Sequence, residues 1–398
     1  MAAATSPRLT ALRPTAPPDA LVLLLAGVLM TIGVVMVYSA SVSIDDVGPF
    51  TLQGWWKTPL RQCVFAAAGF AAMMLVAGVD YRRLRWEEWT DGWRPGLAWV
   101  VAVVLLVAMW HPALGRQTLG ATRSIVVIKG MLSFQPAEVA KIALVIWLAA
   151  LLSSPLFRID SLRRGFGVAT VSAGVLIGLV AIEDFGTAAL MGVVLVCLLV
   201  LGGARWLHLG LLGLGGVRAG AAFIIHKPYR LTRILTYISD APDPSGAGYQ
   251  IDQALKAIAT GGWFGRGLGA GVQKYDYLPQ GDNDFILAII CEELGIVGGL
   301  VVALLFLGLL ARGWWLVRHA PDPFGRLLAA GLTLTICLQA AFNVAVVTNS
   351  VPTKGISLPF VSAGGSGVVF LGVAAGLLAS IGRYCPAPDE PRRLAGGP

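Results

Sequence analysis

Pro279-Gln280-Gly281-Asp282-Asn283-Asp284-Phe285-Ile286-Leu287-Ala288 runs without a break into Ile289-Ile290-Cys291-Glu292-Glu293-Leu294-Gly295. The stretch opens as a polar turn and turns into a long apolar run, so it predicts a membrane helix beginning at Asp284. Asp282 and Asp284 fall where water would stop. On that helix Glu292 would lie roughly 12 Å deeper than Asp284 and about 80° round the axis. Carboxylates within an apolar span are costly, which marks this corner as a candidate functional site.

The rest of the 398-residue chain reads as the frame for that corner. It is 56% hydrophobic and 13% charged, against about 25% charged for a soluble domain. Apolar runs recur at 20–40, 62–79, 96–110, 137–152, 166–182, 187–203, 207–225, 284–310, 324–347 and 365–381. Lengths of roughly 17–25 residues suit the hydrocarbon core. The fold class is therefore an all-α polytopic membrane protein of about ten transmembrane helices. A net charge of +8 does not point to nucleic acid, because the basic residues cluster in short loops, as orientation in a membrane requires. The five cysteines are scattered singly and the four histidines do not cluster, so neither a disulfide framework nor a zinc site is expected.

Ten spans put both termini on one side. Of the 30 lysines and arginines, 16 fall in the terminal tails and the even-numbered loops, which makes that side cytoplasmic by the positive-inside rule. Residues 1–19 and 383–398 are cytoplasmic tails around a single membrane domain, 20–382. A large loop, 226–283, joins helices seven and eight on the extracytoplasmic side. Residues 111–136 read as a polar loop on the same side.

Four further stretches carry candidate chemistry. In Gln135-Pro136-Ala137-Glu138-Val139-Ala140-Lys141, Glu138 and Lys141 are i,i+3 and can pair; they are either a helix start with a neutralised charge pair or a polar patch for a charged lipid head group. In Pro228-Tyr229-Arg230 with Arg233, the arginines are either interfacial anchors or a diphosphate clamp, which Arg123 could join. Gly261 to Gly271 is glycine-rich but lacks the GxxxxGK[ST] pattern of a phosphate loop; its glycines predict tight turns and close approach at the membrane surface. Tyr249, Gln250 and Gln253 open an amphipathic stretch just before it that suits the interface. Finally, Val351 to Ser366 holds two prolines and several glycines that break the helix and bring Lys354 toward Asp284. Arg218, inside helix seven, is given no function.

Taken together these motifs resemble the SEDS family of polytopic membrane proteins, which includes FtsW, RodA and SpoVE. The match is carried by Gln135-Pro136-Ala137-Glu138 with Lys141, Asp184-Phe185-Gly186-Thr187-Ala188, Pro228-Tyr229-Arg230 with Arg233, and Gly248-Tyr249-Gln250. It continues through Gly265-Arg266-Gly267-Leu268-Gly269, Tyr277-Leu278-Pro279, Asp284-Phe285, Glu292-Glu293-Leu294-Gly295, Asn343, Pro352-Thr353-Lys354-Gly355, Leu358-Pro359 and Ser362. The Pro-Thr-Lys-Gly form is similar to the FtsW branch. Where the family usually reads Pro-Glu-Ala-His-Thr-Asp, this chain has Pro279-Gln280-Gly281-Asp282-Asn283-Asp284, which adds an acid two residues from the family's essential aspartate, Asp284.

The resemblance implies a peptidoglycan glycosyltransferase. It would polymerise lipid II, an undecaprenyl-diphosphate disaccharide-pentapeptide, outside the bacterial cytoplasmic membrane, beside a class B penicillin-binding protein and other division proteins at the septum. Such chemistry needs a base for the attacking hydroxyl and positive charge for the leaving diphosphate. Asp284 is the candidate base, with burial and the charge of Asp282 both acting to raise its pKa. The substrate-binding candidates are Arg123, Glu138, Lys141, Arg230, Arg233, Gln253, Lys354 and Ser362. A divalent cation, Mg or Mn, is compatible with the pair Asp282 and Asp284. Two other classes stay open on the residues alone: a lipid II flippase, since intramembrane charges and broken helices also suit transport, and a catalytically silent division scaffold.

Overall fold

The computed structural model describes residues 14, 16–41, 57–85, 93–111, 114–116, 124–128, 132–155, 157–225, 237, 247–274, 281–352, 355–363 and 365–385. Their helices are α1 (Ala20–Ala40), α2 (Lys57–Gly78), α3 (Trp93–Ala108), α4 (Pro136–Ser153), α5 (Gly167–Glu183), α6 (Phe185–Leu201), α7 (Trp206–Ile225), α8 (Ala247–Gly261), α9 (Ile286–His319), α10 (Pro323–Val347) and α11 (Ser366–Gly382). Six are long and apolar enough to cross a membrane, and α3, α5, α6 and α11 are shorter apolar helices. The ten predicted spans are all present, with α8 as an additional amphipathic helix inside the long loop.

Polar residues set the helix ends. The Asp19 side chain accepts from Val22 N at the start of α1. Asp184 does the same for α6, taking Thr187 N. Asp322 caps α10, with Pro323 in the first turn, the position where its missing N–H is not needed. Between caps the helices pack on small residues. A Cβ on Gly372 of α11 would stand 2.3 Å from Gly69 O of α2, so this crossing requires glycine.

The two ends of the described chain, at residues 16–19 and 379–385, lie together at one end of the bundle. Asp19 N donates to Ala379 O at 3.1 Å and Ala16 N to Arg383 O at 3.2 Å. Arg312 of α9 pairs with Asp19 at 2.6 Å, and Tyr81, just after α2, donates to Asp322. Asp284 lies at the opposite end, as the count of spans requires. α7 stands largely uncovered; of its residues only His208 is buried, against Phe166. Arg218 is exposed on it.

Residues 111–136 correct the sequence reading. Instead of a plain polar loop they contain a three-stranded antiparallel sheet, β1 (Gly115–Arg116), β2 (Ser124–Ile128) and β3 (Leu132–Phe134), in the order β1-β2-β3. Ile125-Val126-Val127-Ile128 is a β-branched run that favours a strand.

The second correction concerns α9. It starts at Ile286, so Asp284 belongs to the preceding turn, and the helix breaks at Gly295, whose φ of 76° and ψ of −179° suit glycine almost alone. The break frees backbone groups, and the loop after α8 satisfies them. Arg266 N and Gly267 N donate to Glu292 O and Glu293 O at 3.0 and 2.9 Å, while Ile296 N and Val297 N donate to Gly262 O and Trp263 O at 2.9 and 3.2 Å. The glycine-rich loop therefore approaches closely, as expected, ~14 Å along the helix from its start, with Trp263, Phe264 and Leu268 exposed on its outer side. Irregular backbone within an apolar helix is tolerated when protein satisfies its polar groups.

This loop also accounts for the two glutamates. Glu292 accepts from Val272 N at 2.8 Å and from Gln273 N, with Arg266 at 3.7 Å. Glu293 pairs with buried Lys274 at 3.0 Å and accepts from Ser39 of α1 at 2.6 Å. Both carboxylates are fully buried and occupied in bolting the loop and α1 to α9. They form no part of the mouth around Asp284.

Candidate active site

The polar turn before α9 is held through its main chain. Asp282 O accepts from Ala363 N at 3.0 Å. Asn283 O accepts from Ser362 Oγ at 2.7 Å. Asp284 O accepts from Asn343 Nδ2 at 2.7 Å. Three successive carbonyls are thus fixed by the chain between α10 and α11 and by α10 itself. The Asp284 side chain is buried and its Oδ2 faces Gly355, where a Cβ would come within 2.7 Å.

The 355–358 segment is the spine on which the other motifs meet. Asn343 Nδ2 also donates to Ile356 O at 2.7 Å. One helical turn earlier on α10, Gln339 Nε2 donates to Ser357 O at 3.0 Å. Gln339 Oε1 accepts from Lys141 Nζ at 2.6 Å, and Lys141 pairs with Glu138 at 3.0 Å. Both members of this pair are buried. The start of α4 is seated on α11, because Gln135 N donates to Ser366 Oγ at 3.2 Å. Gly186, after the Asp184 cap, packs against Ile356. Motifs far apart in sequence thereby converge within one connected network.

The predicted residues fall into three groups. Asp284, Glu138 and Lys141 belong to this network. Ser362 belongs to it as well, but its hydroxyl is occupied: it donates to Asn283 O and accepts from Leu358 N at 2.7 Å, which fixes the turn. Gln253 is buried on α8 beside Ala254 and Ala257, the face that packs on α9. Arg123, Arg230, Arg233 and Lys354 lie outside the described residues.

Burial pushes the carboxyl of Asp282 above the usual carboxylate range, because desolvation disfavours its charged form. For a divalent cation, the described residues offer no group of three or more His, Cys, Asp or Glu. Asp282 and Asp284 together fit only the mode in which Mg²⁺ takes one or two carboxylates and completes its shell with water and substrate phosphates.

Sequence reasoning overlooked Gln339 and Lys274, and it quoted Asn343 without a role. The available signal was a glutamine and an asparagine four residues apart in an otherwise apolar helix, where unpaired polar groups are costly.

The model of the cell cycle protein family of FtsW, RodA and SpoVE matches residues 19–386. Stage V sporulation protein E of Bacillus subtilis (strain 168) is 38% identical over 369 residues, covering 92% of this chain and 97% of its own. The probable peptidoglycan glycosyltransferase FtsW of Alkalilimnicola ehrlichii is 39% identical over 386 residues, covering 94% of this chain and 92% of its own. Among solved structures, the rod shape determining protein RodA of Thermus thermophilus superposes with a TM-score of 0.63 at 23% identity, over 92% of this chain and 97% of its own. A chain of a peptidoglycan synthase complex that coordinates polymerization and crosslinking gives a TM-score of 0.71 at 24% identity, over 92% of this chain and 98% of its own. The two structures show a shared polytopic membrane fold.

Proposed function

The chain belongs to the FtsW, RodA and SpoVE family of cell cycle proteins, and from that premise we propose that it is a peptidoglycan glycosyltransferase that polymerises lipid II on the outer face of the bacterial cytoplasmic membrane. The names of its relatives support the activity. The observation that carries the reading is the Asp284 carboxylate, buried at the mouth of the bundle on a turn whose three carbonyls are each tied down.

In the proposed reaction a sugar hydroxyl of one lipid II attacks the anomeric carbon of the MurNAc unit of another. Asp284 takes the hydroxyl proton. The new glycosidic C–O bond forms as the bond from the anomeric carbon to the diphosphate oxygen breaks, and undecaprenyl diphosphate leaves with the electron pair. Arg123, Arg230, Arg233 and Lys354 are the cations assigned to the diphosphate, since arginine suits bidentate phosphate contact. Glu138 and Lys141, buried and paired with each other, are assigned to shaping the polar end of the region that takes the lipid, and Gln253 is assigned to substrate from α8. A divalent cation, when bound, would be held by Asp282 and Asp284 and would add positive charge against the leaving diphosphate.

Similarity to FtsW-named relatives and the Pro-Thr-Lys-Gly form support a septal role in division. Similarity to a chain of a peptidoglycan synthase complex supports a penicillin-binding protein partner. The lysine and arginine distribution supports cytoplasmic termini. The test of the function is glycan strand formation from labelled lipid II by the purified protein, with and without that partner. Long strands are the expected product, and lipid II left monomeric by folded, partner-bound protein would count against it.

A further inference from the structure

We propose that Asn343 and Gln339 are positioning residues that set the Asp284 carboxylate relative to the Glu138–Lys141 pair. The inference rests on the polymerase reading for its kinetic consequence and on the hydrogen-bond geometry alone for its structural one.

The two residues are i,i+4 on α10 and so share one face. Asn343 is fully buried and Gln339 nearly so. Asn343 directs both N–H groups of its amide at carbonyls, Asp284 O and Ile356 O, each at 2.7 Å. Its Oδ1 accepts nothing among the described residues. The opposite amide orientation would set Oδ1 against two carbonyl oxygens, so the side chain acts as a two-pronged donor joining the turn before α9 to the 355–358 segment. Gln339 joins the next residue of that segment, Ser357, to Lys141, and Lys141 holds Glu138.

A continuous path results: Asp284, Asn343, Ile356, Ser357, Gln339, Lys141, Glu138. Between Asp284 and the charged Lys141–Glu138 pair every link is neutral, and both amides are carried on the one helix α10. Asn343 has no N–H left for substrate through these bonds, and Gln339 has its Oε1 engaged by Lys141 and one N–H by Ser357 O. Their contribution to catalysis is to hold the two halves of the site at a fixed separation, because a misplacement of 1 Å in such a site lowers turnover by about 100-fold.

The test uses the full-length protein in detergent or nanodiscs, with Asn343→Leu as the first variant and Gln339→Glu as the second. Asn343→Leu keeps the volume and removes both donors. Gln339→Glu keeps an acceptor for Lys141 and loses the donor to Ser357. The expected result is a kcat for lipid II polymerisation lowered at least 10-fold in Asn343→Leu, with KM little changed, and a smaller drop in Gln339→Glu. A merely structural role would reduce the yield of folded protein and leave kcat per folded molecule unaltered. Amide hydrogen exchange supplies the readout independent of activity. The N–H groups of Leu358 and Ala363, which close the junction with the turn, should exchange faster in both variants. Wild-type kcat, or unchanged exchange at these amides, overturns the inference. If the wild type makes no glycan, the polymerase reading fails, and the exchange measurement still decides whether the amides hold the turn.

Discussion

Gly355 lies against the Asp284 carboxylate so closely that a single added methyl would stand 2.7 Å from Oδ2. Nothing larger than hydrogen fits between the 355–358 segment and this side chain. The obstructed atom is the end of a side chain, so the carboxylate would rotate away and the backbone would hold. Gly355→Ala is therefore expected to melt within a few degrees of wild type and to lose about 100-fold in turnover, the scale set by a misplaced catalytic group. Paired melting and polymerisation assays check this.

The ion pair of Glu293 with Lys274 is buried on both sides, with side-chain exposures of 0% and 2%. Glu293→Gln leaves an ammonium group in the interior without its counter-charge, which costs ~3–5 kcal/mol. Thermal denaturation in detergent should show the largest loss for this single variant and a smaller one for Glu293→Gln combined with Lys274→Met.

Gly295 sits at a φ that side chains rarely adopt, and a Cβ there would fall 2.2 Å from Trp263 O. Gly295→Ala should cost more than the ~1–3 kcal/mol of backbone strain alone, because the loop must also move off the helix. Limited proteolysis should then cut between residues 262 and 274 faster than in wild type.

Asp282 gives a pH-dependent prediction. Its folded-state pKa is raised by burial, while in the unfolded chain it titrates near the usual value of about 3.9. The folded form thus keeps its proton to higher pH. The stability tied to that proton is fully present below the unfolded value and is lost as pH rises through the raised one. Asp282→Asn should match wild type in acid and melt higher at neutral pH. A difference in melting temperature that does not grow with pH contradicts the assignment.

Much of this was legible in the sequence, for physical reasons. Long apolar runs betray spans, so the ten helices followed directly. Glu138 and Lys141 were readable because their partners are three residues apart on one helix. The pairing of Glu292 and Glu293 was not legible because the groups that neutralise them, Arg266 and Lys274, come from a loop whose approach to α9 depends on a helix break at Gly295. Gly295 is one of three glycines within five residues of an apolar run, with Gly298 and Gly299, and nothing in the sequence singles it out as the break. Ser362 entered as a motif residue of the family resemblance, and the two main-chain bonds its hydroxyl makes were not legible because their partners, Asn283 O and Leu358 N, are set by how the two turns meet. Gln339 was missed because its partners, Lys141 and Ser357, are remote in sequence.

The central claim is that Asp284 is the base of a lipid II polymerase. The most direct test runs wild type and Asp284→Asn side by side on labelled lipid II, each with its penicillin-binding partner, after melting curves establish that both are folded. The account predicts long glycan strands from wild type and a loss of at least 100-fold for the variant, within the range a general base supplies. Strands of wild-type length and rate from folded Asp284→Asn would contradict it.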